Sequence, residues 1–215
     1  MEMALFTIFC TSFILALSGA LMPGPLLTVT ISESSRRGGM VVGPLMILGH
    51  SLLELALVIA LGFGLAPILM RDDVFIFVSF CGGAVLLWMG TSMLRSLSAL
   101  SLEIQPDNAI SKNLVLTGIL LSAVNPYWLI WWTSIGLGYI MYSMKFGFMG
   151  VAAFFFGHIL ADLTWYWLVS IGVAKGKHFF SDNLYRRLIG GCAVFLLVFS
   201  CWFLYSGINR AIHLA

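Results

Sequence analysis

Two short stretches of the sequence carry most of the side chains that could do chemistry inside a membrane. Residues 49–54 read G-H-x-L-x-E, and residues 157–162 read G-H-x-L-x-D, 108 positions later. In each stretch a histidine and a carboxylate lie four residues apart, which places both on one face of a helix. Each pair also lies within a long apolar run, where a charged side chain costs about 2.5 kcal/mol or more. The repeated pair is therefore predicted to be a functional site.

Three interpretations of His50, Glu54, His158 and Asp162 are open at this point. In the first, the carboxylates carry protons and the histidines tune or relay them, because apolar surroundings favour the neutral form of a carboxyl group. In the second, two nitrogens and two carboxylates bind a divalent metal such as zinc or manganese. In the third, each histidine and its carboxylate satisfy one another as a structural pair. Proton coupling is the working prediction, with no resident metal and no cofactor.

Two other stretches predict interruptions of membrane helices. The Pro-Gly-Pro segment at 23–25 removes two backbone N–H groups around a glycine, and an Asn-Pro pair at 125–126 interrupts a later run. Backbone groups freed inside a membrane must be satisfied by protein or by a wet cavity, and in transporters they bind charged parts of the substrate. The predicted substrate-binding residues are Pro23, Gly24, Pro25, Asn125, Pro126 and Tyr127.

The composition requires a membrane protein around these residues. Of the 215 residues 60% are hydrophobic and 9% are charged, with a mean hydropathy of +1.02, whereas soluble domains have about 25% charged residues. Apolar runs cover about 4–32, 40–70, 74–95, 114–142, 147–174 and 188–209. Each reaches the roughly 20 residues that span a bilayer as a helix. We predict an all-α integral membrane protein with six transmembrane helices, of which helices 1 and 4 are broken.

Matches at the same offset of 108 extend the repeat beyond the two six-residue stretches. Leu55 matches Leu163, and the glycine pair at 82–83 matches the pair at 190–191. Because each half would hold three helices, the second half enters the membrane the other way up, as in many secondary transporters. The predicted units are two inverted three-helix repeats, 1–96 and 114–215, joined by a cytoplasmic linker, 97–113.

The distribution of basic residues predicts the orientation. Eight lie in loops on one side, and three lie on the other. The first set comprises Arg36, Arg37, Arg95, Lys112, Lys175, Lys177, Arg186 and Arg187. The second comprises Arg71, Lys145 and Arg210. Because short cytoplasmic loops are rich in Lys and Arg, both termini are predicted to be outside.

Other classes of function lack their sequence signals. The chain has no H-E-x-x-H metalloprotease motif, no G-x-S-x-G elbow and no Walker A loop, which argues against an enzyme. The basic residues in loop 175–187 are too few for nucleic-acid binding and fit the topology instead.

In helix order and length the chain resembles the LysE-type amino-acid exporters, also called LysE/RhtB translocators. The resemblance rests on the Pro-Gly-Pro segment, Arg37-Gly38-Gly39 with Gly43, the Asn-Pro pair, and Asp162. It implies export of amino acids or related metabolites across the inner membrane in exchange for protons. Where the family pattern usually has Lys after Asn-Pro, this chain has Tyr127, so a cation near the second break is missing. Related members of the wider superfamily move metal ions, which keeps the metal interpretation open.

We therefore predict a multi-pass inner-membrane exporter whose partners are a small-molecule substrate, protons and the lipid bilayer. The alternative is a divalent-metal exporter that uses the four buried side chains as ligands. Six helices leave little room to bury a polar path, which favours a homodimer.

Overall fold

A computed structural model describes residues 1–37, 39–69, 71–99, 113–176 and 182–214. The first half contains α1 (Glu2–Ala20), α2 (Pro25–Arg37), α3 (Val42–Gly62), α4 (Ala66–Leu69), α5 (Asp72–Ser96) and a 3-10 turn (Leu97–Ala99). The second half contains α6 (Leu114–Ala123), α7 (Pro126–Trp131), a π-helical turn (Trp132–Gly136), α8 (Leu137–Met144), α9 (Gly147–Gly176) and α10 (Asp182–Leu214). Most of the predicted linker lies outside the described residues, as do Gly38, Lys112 and Lys177.

The described helices are consistent with a multi-pass membrane protein. Among them α1, α3, α5, α9 and α10 are each long and apolar enough to cross a bilayer. The count reaches six if α6 and the stretch Pro126–Met144, which are bent by 63° at their junction, form one span. The all-helical membrane architecture predicted from composition is confirmed at this level.

Proline and asparagine determine where the short helices begin. Pro25 and Pro126 each occupy the first position of a helix, where a backbone N–H would have no hydrogen-bond partner within the helix. The Asn125 side chain caps α7 by accepting from the backbone N–H of Tyr127, and Asn113 caps α6 in the same way. Before α2 the preceding residue is Gly24, which has no side chain to offer as a cap.

The main helix contacts join the first half of the chain to the second. Helix α1 lies along α9, α3 contacts both α6 and α9, and α5 lies along α10. At two glycines, Gly49 and Gly157, a neighbouring backbone lies too close for a side chain. A Cβ added at Gly49 would collide with the Val115 carbonyl oxygen of α6, and one at Gly157 would collide with the Phe9 carbonyl oxygen of α1. The glycine that precedes each histidine therefore brings its helix against a neighbouring backbone.

Charged residues also join the ends of two helices. Arg71 makes a two-pronged contact with Asp73 at the start of α5. Arg210 of α10 reaches Asp72 at 2.6 Å. These contacts are exposed, so their contribution to stability is small.

Candidate functional site: a buried histidine–carboxylate cluster

Helices α3 and α9 bring together the four ionisable side chains of the repeated stretches. Both pairs lie at mid-helix on the faces where α3 and α9 meet. All four are buried, and Glu54 is only 1% exposed. The i, i+4 spacing predicts each pair, and the packing of α3 against α9 joins the two pairs into one cluster.

Each imidazole faces both carboxylates through its Nε2 atom. His50 Nε2 lies 3.1 Å from Glu54 Oε1 and 3.5 Å from Asp162 Oδ2. His158 Nε2 lies 3.0 Å from Glu54 Oε2 and 3.4 Å from Asp162 Oδ2. The four groups therefore form a closed ring in which nitrogen and oxygen alternate. This ring can exchange protons between groups or hold a cation at its centre.

Two indoles position the Glu54 carboxylate. Trp128 Nε1 donates to Glu54 Oε1 at 3.0 Å, and Trp132 Nε1 donates to the same oxygen at 2.8 Å. The two tryptophans are four residues apart, and Trp132 begins the π-helical turn. Single π-helical turns inside helices are frequent at functional sites. The second oxygen, Oε2, is left facing His158.

The two histidines differ at their Nδ1 atoms. His50 Nδ1 lies 2.7 Å from Ser122 Oγ of α6, which orients that ring. His158 Nδ1 is buried and has no hydrogen-bond partner among the described residues. Its ring packs instead against Trp131, with centroids 4.6 Å apart, and against Phe154, at 5.9 Å. The two histidines therefore make similar contacts with the carboxylates through Nε2, but among the described residues only His50 has a hydrogen-bond partner at Nδ1.

A cavity of about 60 Å³ adjoins the cluster and is lined by all four of its residues. This volume is sufficient for a few water molecules. Four of the predicted substrate-binding residues also line it: Pro23, Gly24, Asn125 and Tyr127. The other two, Pro25 and Pro126, are buried at the first positions of α2 and α7 and are not among the lining residues. One cavity therefore contacts the ionisable cluster, the segment between α1 and α2, and the segment between α6 and α7.

The sequence does not predict that Trp128, Trp132 and Ser122 contact the cluster. A signal existed for Trp132, because it follows Trp128 by four residues and so lies on the same helical face. For Ser122 there was no such signal, since its contact with His50 depends on how α6 packs against α3.

Apolar helices that enclose a buried polar cluster and an adjoining cavity are typical of multi-pass membrane transporters. The chain belongs to the LysE type translocator family, whose model matches residues 17–207. This confirms the family resemblance seen in the sequence. Neither a curated protein nor a solved structure matches the chain.

Proposed function

We propose that this protein is a secondary exporter that moves amino acids or related small metabolites across the inner membrane in exchange for protons. The observation that carries the proposal is the shared cavity, which contacts residues of both helix interruptions and all four ionisable side chains. A solute bound at the interruptions would lie beside the groups that exchange protons. In this arrangement, binding of the solute and binding of protons would affect each other.

The start of α2 supports a binding site for the negative end of a substrate. The first helical hydrogen bond there runs from Thr28 N to the Gly24 carbonyl. The N–H groups of Leu26 and Leu27 precede it and have no partner within the helix. Such N–H groups at a helix N-terminus attract negative charge. A carboxylate bound there would lie in the same cavity as the ionisable cluster, because Gly24 and Leu26 line it.

In the proposed coupling step, Glu54 and Asp162 exchange protons during alternating access, and His50 and His158 tune their proton affinity. The contacts of 3.1 and 3.0 Å between Glu54 and the two imidazoles support this assignment. Proton movement between neighbouring groups needs such distances. Burial supports it too, since an ionisable group at this depth is retained at a free-energy cost.

Two pairs of matching contacts support an inverted repeat of three helices. The contact of Gly49 with Val115 recurs, 108 and 106 positions away, as the contact between Gly157 and Phe9. A second pair of contacts is related by the same two offsets. Gly118 approaches the Met46 carbonyl, and the corresponding Ser12 Oγ donates to the Phe154 carbonyl at 2.6 Å. Alternating access would then arise from the two halves exchanging conformations. The outside location of both termini and a homodimer belong to the same proposal.

Flux measurements on proteoliposomes test the exporter. Vesicles loaded with an amino-acid pool would receive a pH gradient, and solute loss would be followed by mass spectrometry. The proposal expects loss of particular solutes that depends on both the protein and the gradient. Asn125→Ala should alter the apparent affinity for those solutes, whereas the matched cap variant Asn113→Ala, outside the cavity, should not. No solute movement above protein-free vesicles, for amino acids and related amines alike, would refute the proposal.

A further inference from the structure

The four side chains of the cluster also have the arrangement of a metal centre. We propose that His50, Glu54, His158 and Asp162 form a binding site for one divalent transition-metal ion of the zinc type. The inference rests on the geometry of the cluster and goes beyond the exporter proposal, so either can fail without the other.

The nitrogen–oxygen spacing of the donor atoms is close to that of tetrahedral coordination. Zinc binds imidazole nitrogen at about 2.0–2.1 Å and carboxylate oxygen at about 2.0–2.2 Å, so neighbouring ligand atoms in a tetrahedron lie about 3.3–3.5 Å apart. Three nitrogen–oxygen distances involve the oxygens Glu54 Oε2 and Asp162 Oδ2, at 3.0, 3.4 and 3.5 Å, and the fourth contact of the ring, at 3.1 Å, joins His50 Nε2 to the other Glu54 oxygen, Oε1. One ligand atom from each residue can be chosen so that all four lie within 4.8 Å of one another. An ion at the centre of the ring would contact all four with small side-chain adjustments.

Two of the carboxylate oxygens lack the partners that a purely hydrogen-bonded cluster would provide. Glu54 Oε2 and Asp162 Oδ2 are buried and accept no hydrogen bond among the described residues, although imidazole nitrogens lie within 3.5 Å of each. Leaving a buried charged acceptor without a hydrogen bond is costly. A bound cation would satisfy both oxygens at once.

The groups around the ring match the supporting shell of a metal site. Ligating histidines commonly use their other ring nitrogen in a hydrogen bond, and His50 Nδ1 does so with Ser122. Ligating carboxylates are commonly held by hydrogen bonds as well, and two indoles hold Glu54 by Oε1. This leaves Oε2 available as the ligand. A set of two imidazoles and two carboxylates suits zinc and other borderline divalent ions better than magnesium or calcium, which prefer all-oxygen ligands.

The ion would occupy the same donor atoms that the exporter proposal gives to protons. Metal binding therefore excludes proton exchange at the cluster while the ion is bound. This competition makes zinc a direct probe of the site in a transport assay, but the binding measurement does not depend on transport.

The test uses purified full-length protein without a polyhistidine tag, with Zn²⁺ as the probe. We expect saturable binding of one ion per chain by isothermal titration calorimetry, and a loss of affinity of at least tenfold in His158→Gln and in Asp162→Asn. His213→Gln makes the same chemical change at an exposed position on α10 and should bind like the wild type. Binding that survives both ligand substitutions, or no saturable binding to the wild type, would overturn the inference.

A second measurement covers the case in which a ligand variant does not fold. X-ray absorption of the zinc-loaded wild type should show four nitrogen or oxygen neighbours at about 2.0–2.1 Å, with the multiple-scattering signature of two imidazoles. Fewer than two imidazoles, or six oxygen neighbours, would exclude the proposed centre without the need for any variant.

Discussion

Glu54 Oε2 of α3 lies 3.0 Å from His158 Nε2 of α9, and this contact joins the two repeated sequence stretches into one buried site. Glu54 and His158 are far apart in sequence. Each also contacts a residue four positions away in its own helix, His50 for Glu54 and Asp162 for His158. Because of this contact between the helices, protonation or ligand binding at one stretch directly affects the ionisable groups of the other. Any conformational change that separates α3 from α9 would therefore change the affinity of the cluster for its occupant.

Trp132→Phe tests the support of the Glu54 carboxylate. The substitution keeps an aromatic ring but removes an N–H that donates to Oε1 at 2.8 Å. A hydrogen bond to a charged group contributes about 1.5–3 kcal/mol, so the melting temperature in detergent should fall. Trp88→Phe is the matched control, because Trp88 is 70% exposed. Equal melting temperatures for the two variants would show that the indole bond does not stabilise the protein.

Gly49→Ala and Gly157→Ala test the close helix contacts. Each added methyl group would collide with a neighbouring carbonyl oxygen, and overpacking of this kind costs about 1–3 kcal/mol. Both variants should therefore melt at lower temperature than the wild type. Gly172→Ala adds the same methyl group within α9 but into open space, and it should have little effect. If the inverted repeat is correct, the two destabilising substitutions should have similar effects, and a large effect of only one would argue against it.

Asn125→Ala and Asn113→Ala separate capping from substrate binding. Each asparagine caps a helix, and loss of an N-cap costs about 0.5–2 kcal/mol, so both variants should lose similar stability. Only Asn125 lines the cavity. The exporter proposal predicts that Asn125→Ala changes solute affinity while Asn113→Ala does not. Identical transport by the two variants would place the substrate elsewhere.

Ser122→Ala tests the asymmetry between the two histidines. Removing the hydroxyl leaves His50 Nδ1 without its hydrogen-bond partner, which lies 2.7 Å away. The two histidines would then be alike, because His158 Nδ1 has no hydrogen-bond partner among the described residues. Loss of such an outer-shell bond typically weakens metal affinity by about 10–100-fold. Zinc titration of the variant measures this change. Ser200→Ala, which removes a buried hydroxyl bonded to the Gly83 carbonyl, is the control for loss of a buried hydrogen bond away from the cluster.

Local patterns in the sequence predict a large part of this architecture. The apolar runs indicate the membrane helices, because hydropathy averaged over about 20 residues needs no knowledge of packing. The i, i+4 spacing likewise predicts that His50 faces Glu54. Proline positions also mark where α2 and α7 begin, since proline can neither donate a helical hydrogen bond nor continue a helix undistorted.

Packing determines what those patterns do not predict. The contact between Glu54 and His158 depends on which faces of α3 and α9 meet, and at one of these contacts Gly43 of α3 lies against the backbone of Tyr166 in α9. The roles of Trp132 and Ser122 depend on the same packing. The first apolar run, about 4–32, is divided between two separate helices, and the shorter one starts at Pro25 and continues beyond the run to Arg37. Only α1 among these two is long and apolar enough on its own to span a bilayer.

The most direct test of the exporter is proton movement driven by solute in proteoliposomes that contain a pH-sensitive dye. A transported solute should move protons in the wild type and in Asp73→Asn, which alters an exposed carboxylate outside the cavity. The double variant Glu54→Gln, Asp162→Asn should lose this proton movement, because both carboxylates of the cluster are then neutral at every pH. Solute-dependent proton movement at the wild-type rate in the double variant would contradict the assignment of coupling to this cluster.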